Sequence, residues 1–148
     1  MAAHVGFTGG IMDGDDIAHI RNVLSLYPHI VDDNTQYHRV ADVFTEDAVY
    51  DASHYELGRH VGLAAIEDYL ANSQARKDDP NHPFSHNAVD IHVHDITGDE
   101  AHALSRCLAV YRDGRSAVSV YRDRMKRTAG GWRIAERVMM PLTGSDGH

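Results

Sequence analysis

Two periods of apolar residues divide this chain. From Ile17 onward, Ile20, Leu24, Tyr27 and Val31 recur at steps of three and four with Val23 and Ile30 beside them, which predicts an amphipathic helix. Asp13 to Asp16 supply N-cap and first-turn acids for its positive end, and Pro28 inside the pattern is expected to kink it or end a first segment. After the turn-like DDNTQ, YHRVADVF predicts a short second helix with Val40, Val43 and Phe44 on one side. TEDAVYDAS reads as a strand, ELGRHVG as its hairpin partner, and GLAAIEDYLANSQAR as a third helix carrying Leu63, Ile66 and Leu70.

Beyond the loop KDDPNHP the period changes to two. FSHNAVDIHVHDI, EAHALSRCLAVYRD, SAVSVYRDRMKRT and GWRIAERVMMP predict four alternating strands, separated by turns at Gly98, Gly114 and Gly130/Gly131. The fold class is therefore α+β, with the helices on one side of an antiparallel sheet. In the last strand unbroken alternation sends Trp132, Ile134, Glu136, Val138 and Met140 one way and Arg133, Ala135, Arg137 and Met139 the other. A curved sheet with helices across its concave side leaves a blind hollow, which this strand would wall. Residues 1–12 are expected to form a loose arm, 13–142 a single domain and 143–148 a polar tail.

Composition narrows the classes of function. At 43% hydrophobic and 24% charged residues the usage is globular. The net charge of −8 argues against nucleic acid as a partner, since phosphate binding depends on clustered Lys and Arg. The basic run RDRMKRT reads as a solvated strand face. Cys107 is the single cysteine, so no intrachain disulfide is possible, and in ALSRCLAVY it reads as a small apolar strand residue. No basic region followed by an apolar stretch opens the chain, which makes a cytoplasmic protein without membrane contact the expectation. No glycine-rich phosphate loop, dinucleotide fingerprint or serine elbow is present in the sequence, so no cofactor is expected.

YPHIVDDNTQYHRVADVFTEDAVYD, then GLAAIEDYL, then SHN before a strand and RTAGGWRIAERV near the end carry a resemblance to the nuclear transport factor 2-like superfamily, in its SnoaL-like branch. The likeness in element order runs from about residue 14 to 142. It implies a cone-shaped fold, a curved antiparallel sheet wrapped around three N-terminal helices with a deep apolar pocket between them. The superfamily holds dehydratases such as scytalone dehydratase, dehydrochlorinases, ketosteroid isomerases, polyketide cyclases, epoxide hydrolases, noncatalytic ring-hydroxylating dioxygenase β subunits and transport adaptors. Fold does not choose among these.

In the dehydratase and dehydrochlorinase members an Asp after the first helix orients a His at the start of the first long strand, and that His takes a proton from carbon. The resemblance puts these roles on Asp33 and His86, with Asp32 the competitor for the Asp. The chemistry is self-consistent: a neutral imidazole accepts a proton near neutral pH, and a carboxylate on its other nitrogen fixes the tautomer and stabilises the imidazolium. Tyr50, sharing a strand face with Ala52 and His54, and Tyr27, on the helix stripe, could hold a substrate oxygen. Scytalone dehydratase's strand tyrosine would fall nearer Ala52 than Tyr50. Tyr55, Tyr69 and Tyr121 are weaker candidates.

One conflict stands in the strand after FSHN. If His86 faces the hollow, unbroken alternation also sends Asp90 and His92 inward, unless a bulge reverses it. The HVH pair invites a metal, but the Glu and His that should complete such a site are badly spaced, and no metal is expected. The sequence thus points to a cofactor-independent lyase or isomerase, a dehydratase or cyclase, acting on a small apolar or carbonyl-bearing metabolite. The alternative is a noncatalytic ligand-binding or subunit-like domain. A homodimer or higher homo-oligomer through the sheet face is expected, since homodimers built across the sheet are common in the superfamily.

Overall fold

The computed structural model describes residues 14–142, so the readings for an arm over 1–12, a cap at Asp13 and a tail over 143–148 lie outside the described residues. Helix α1 spans Gly14–Val31, and strand β1 (Phe44–Asp51) pairs with the short β2 (Arg59–Val61). Helix α2 (Leu63–Gln74) follows, then β3 (Ser85–Thr97), β4 (Glu100–Val110), β5 (Ser116–Thr128) and β6 (Gly131–Pro141). The strands form one curved, unclosed sheet in the order β2-β1-β6-β5-β4-β3. Neighbours are antiparallel except β1 and β6, which run parallel.

The helical stripe of α1 is buried as its spacing requires: Ile20, Val23, Leu24, Tyr27 and Ile30 all lie in the core. Pro28 does not end the helix, which continues to Val31 before Asp32 N–H closes on the Pro28 carbonyl at 3.0 Å. A proline so close to the end disturbs only the turn before it. The second predicted helix is a single 3₁₀ stretch, Tyr37–Asp42, and Phe44 belongs to β1 instead. The Val43 carbonyl accepts the Ile134 amide at 2.7 Å, so pairing with β6 captures this apolar run.

Bulges reset the faces of two long strands. In β3 the register against β4 slips between Val89 and His92 and again between Val93 and Ile96, and Asp90 and Asp95 there have φ of 52° and 71°. Val93 and Ile96 consequently turn into the core while His92 is exposed. The bulge anticipated for this strand is present twice. In β6 the slip falls at Ala135, between the pairs Met125–Ile134 and Arg124–Glu136. Trp132, Ile134 and Arg137 are therefore all buried, contrary to unbroken alternation, which separates Arg137 from the other two. Such extra residues increase local twist and bend a sheet, and here they curl it around α1.

Trp132 fastens the start of β6 to the start of α1. Its indole Nε1–H donates to Asp16 Oδ1 at 3.0 Å, and Arg127, whose guanidinium lies over the indole, donates to both Asp16 oxygens. The wall of the hollow comes from further along the strand, at Met139. Among the described residues no helix is long and apolar enough to cross a membrane.

Candidate functional site

Between α1, α2 and the concave side of the sheet lies a cavity of about 280 Å³. Six of the chain's seven tyrosines line it (Tyr27, Tyr50, Tyr55, Tyr69, Tyr111 and Tyr121), so hydroxyls rather than carbon alone meet whatever enters. Tyr27 packs edge-on against Tyr121 with ring centroids 6.2 Å apart, and Tyr50 lies 5.2 Å from Tyr69. Burial raises the pKa of Tyr27, Tyr50, Tyr69 and Tyr121 above the ordinary phenol value. All four are neutral phenols able to donate.

His86 stands in the wall of this cavity and also lines a wider outer cleft containing Asp32. Its place follows from topology. β3 is an edge strand, so its outward N–H groups need partners beyond the sheet. The end of α1 supplies one: Asp32 Oδ2 accepts the His86 backbone amide at 2.9 Å, and Oδ1 accepts the ring Nδ1–H at 2.8 Å. Two bonds from one carboxylate fix both the strand end and the ring plane. Arg21, further back on α1, donates to the Ile91 carbonyl on the same edge.

The carboxylate that meets His86 is therefore Asp32, and the sequence expectation of Asp33 is corrected. Asp33 Oδ1 accepts the Thr35 amide at 3.0 Å and the Thr35 hydroxyl at 2.7 Å. That local turn occupies Asp33, facing solvent, and the two bonds lower its pKa. Asp32, one residue earlier, is left to face β3.

Tyr27 and Tyr50 both line the cavity with His86. Tyr50 is 1% exposed, and its hydroxyl lies 3.7 Å from Met139 Sδ. His54, placed by alternation on the same face, instead falls on an exposed 3₁₀ turn, Ser53–Tyr55, because β1 stops at Asp51.

Beneath the tyrosines lies a group that sequence reasoning missed. Arg137 donates to Asp123 from Nε and Nη2 at 2.7 and 2.9 Å, and its guanidinium sits 3.9 Å from the Tyr121 ring centroid and 4.8 Å from that of Tyr27. Burial alone would lower the Arg137 pKa; the Asp123 carboxylate overcomes this and raises it. The pair supports the rings from below as a buried ion pair with a cation–π contact on each. Cys107 also lines the cavity, and burial pushes its thiol pKa up, so the thiol form predominates.

His92, His94 and His102 lie away from the cavity, with ring centroids 5.6 Å apart for the first two and 6.0 Å for the last two. Among the described residues no three His, Cys, Asp or Glu side chains are arranged to hold a metal ion.

The model of the SnoaL-like domain matches residues 13–138, most of the chain. This chain belongs to the SnoaL-like family. Solved structures agree with that assignment. A protein from Novosphingobium aromaticivorans, provisionally described as an aromatic ring hydroxylase, is 30% identical over 90% of this chain and 93% of its own, with a TM-score of 0.75. An NTF2-like protein with a cystatin-like fold from the same organism is 24% identical, covering 90% and 86%, also at 0.75. A third from that organism, provisionally described as a scytalone dehydratase, is 18% identical over 89% and 94%, at 0.69, and is like this chain in fold. Among curated proteins no sequence match is found. The SnoaL-like family includes dehydratases and cyclases, and its domains bind small molecules.

Proposed function

We propose that this SnoaL-like protein is a cofactor-independent lyase or isomerase that removes a proton from carbon beside a carbonyl, with dehydration as the preferred outcome. The observation that carries this is the bond from Asp32 to His86 Nδ1 at the wall of a tyrosine-lined cavity. With Nδ1–H held by the carboxylate, Nε2 is the basic nitrogen and takes the proton from the substrate carbon. The electron pair moves to the carbonyl oxygen, where a hydroxyl of Tyr50 or Tyr27 donates to the developing enolate. The imidazolium, balanced by Asp32, then returns its proton to a departing β-hydroxyl, and water leaves as the new double bond forms. Isomerisation and cyclisation need the same first step.

The test is hydrogen–deuterium exchange. 2-Tetralone has acidic protons beside its carbonyl and a bicyclic body suited to the cavity. In deuterated buffer the wild-type protein should accelerate its exchange, followed by NMR, and His86→Asn should not. A wild-type rate equal to that of buffer removes the catalytic reading.

A second reading is a noncatalytic ligand-binding or subunit-like domain, in which the tyrosine-lined cavity only holds a ligand. It predicts tight binding of 2-tetralone without exchange. In either reading a second copy of the chain would cover the outer sheet face, where Leu104 and Val118 are exposed. Leu104→Glu should shift the sedimentation coefficient to that of a monomer if so.

A further inference from the structure

We infer that the cavity takes a ligand with a carboxylate on a planar apolar body, and that Arg76 and His82 at its mouth hold the charged end. The inference rests on the preceding section only in taking this cavity as the ligand site. Its basis is a charge distribution opposite to that of the whole chain. The sequence has 22 acidic against 14 basic residues. Yet no Asp or Glu lines the cavity among the described residues, whereas Arg76, His82 and His86 do. Arg76 supplies the fixed positive charge at this lining, and a cation at the mouth of a cleft draws an incoming anion.

The mouth is a built structure. From the end of α2 three successive turns follow, with Arg76 N–H on the Ser73 carbonyl at 3.0 Å, Asp79 N–H on that of Arg76 at 2.9 Å and His82 N–H on that of Asp79 at 2.9 Å. Arg115, from the β4–β5 hairpin, clasps this loop by donating to the Pro80 carbonyl at 2.9 Å and to Asn81 Oδ1 at 3.3 Å. The clasp presents Arg76 and His82 to the hollow.

Three of the nearby acids are engaged elsewhere. Asp79 Oδ1 accepts the Asn81 amide, Asp113 holds Arg115, and both oxygens of Asp32 are on His86. Glu56 and Asp68 do not line the cavity but an adjoining groove, which shares Leu57, Tyr69, Ser73 and Arg76 with it. Burial, then Arg76 and His86, lower the His82 pKa, while Asp79 and Asp32 act to raise it. Its neutral form therefore predominates in the empty cavity at neutral pH. A carboxylate beside it would favour the imidazolium, so binding should take up a proton.

Isothermal titration with two probes of one shape decides the matter: 2-naphthoate, an anion, and 2-acetylnaphthalene, which is neutral. Wild-type protein should bind 2-naphthoate at least about tenfold more tightly, and Arg76→Gln should remove about that factor while leaving the ketone within about twofold. Titration in buffers of different ionisation enthalpy should show proton uptake with 2-naphthoate that His82→Asn abolishes. Equal affinity for the two probes, an equal loss of both in Arg76→Gln, or no binding of either overturns the inference. The wild-type protein separates the two proposals: a preference for 2-naphthoate with no exchange of 2-tetralone upholds the ligand class and removes the catalytic reading.

Discussion

Arg137 and Asp123 face each other across β6 and β5 as a bidentate ion pair in which the side chains are 1% and 0% exposed. Two charges taken out of water depend on each other completely. Removing one leaves the other uncompensated, at a cost of about 3–5 kcal/mol, whereas replacing both by apolar groups of similar size is often neutral. Urea denaturation should therefore find Arg137→Met and Asp123→Leu each destabilised by about that amount, and the double variant less so than either single. Costs that simply add would show that the pair is uncoupled.

Asp32 and Asp33 are adjacent, yet only Asp32 touches His86. A carboxylate that orients and balances a catalytic imidazole contributes on the order of a hundredfold or more in rate. Asp32→Asn should slow 2-tetralone exchange by about that factor, while Asp33→Asn stays within about twofold because it loses only an exposed turn contact. Equal effects from the two substitutions would dissolve the assignment.

How far the sequence could be read is decided at this same dipeptide. The resemblance located an acid at the end of α1 and a histidine at the start of β3, and the two elements do meet. Which of two adjacent aspartates reaches across depended on a cue at hand, Thr35 two residues after Asp33, which draws that side chain into a local turn. The helix stripe of α1 and the alternation of β4 were plain because packing on one face enforces each period. β6 was misread because alternation says nothing of an inserted residue. Charges hold the missing signal. Counting back from the Gly130/Gly131 turn without a slip sets Arg122 opposite Arg137 and Asp123 opposite Glu136, two repulsive pairs. One extra residue at Ala135 replaces them with Asp123–Arg137 and Arg124–Glu136.

Asp16 ties the first turn of α1 to Arg127 and Trp132, and its pKa is lowered, first of all by the bond from Arg127. A carboxyl whose folded pKa lies below its unfolded value adds stability above the unfolded value and loses it as pH falls through the folded one. Asp16→Asn should cost about 1–3 kcal/mol at neutral pH, a deficit that starts to shrink near about pH 4 and vanishes in stronger acid. Denaturation of both proteins across this range gives the profile. A deficit independent of pH would mean that packing, and not charge, holds the corner.

Tyr50 offers a way to separate catalysis from stability. Its ring is enclosed by Tyr27, Phe44 and Tyr69, while its hydroxyl meets the Met139 sulfur at 3.7 Å and the phenols of Tyr27 and Tyr121. Tyr50→Phe keeps the ring and discards the hydroxyl's bonds to the sulfur and to its phenol neighbours, so the cost to stability should be about 1–2 kcal/mol. If the hydroxyl donates to an enolate, its loss should slow 2-tetralone exchange by about a hundredfold with little change in binding, as for a donor aimed at developing charge. Tyr27→Phe serves as the comparison, since either phenol could hold the oxygen. A rate unchanged in Tyr50→Phe but reduced in Tyr27→Phe would move the role to α1, and rates unchanged in both would remove the tyrosines from the proposed mechanism.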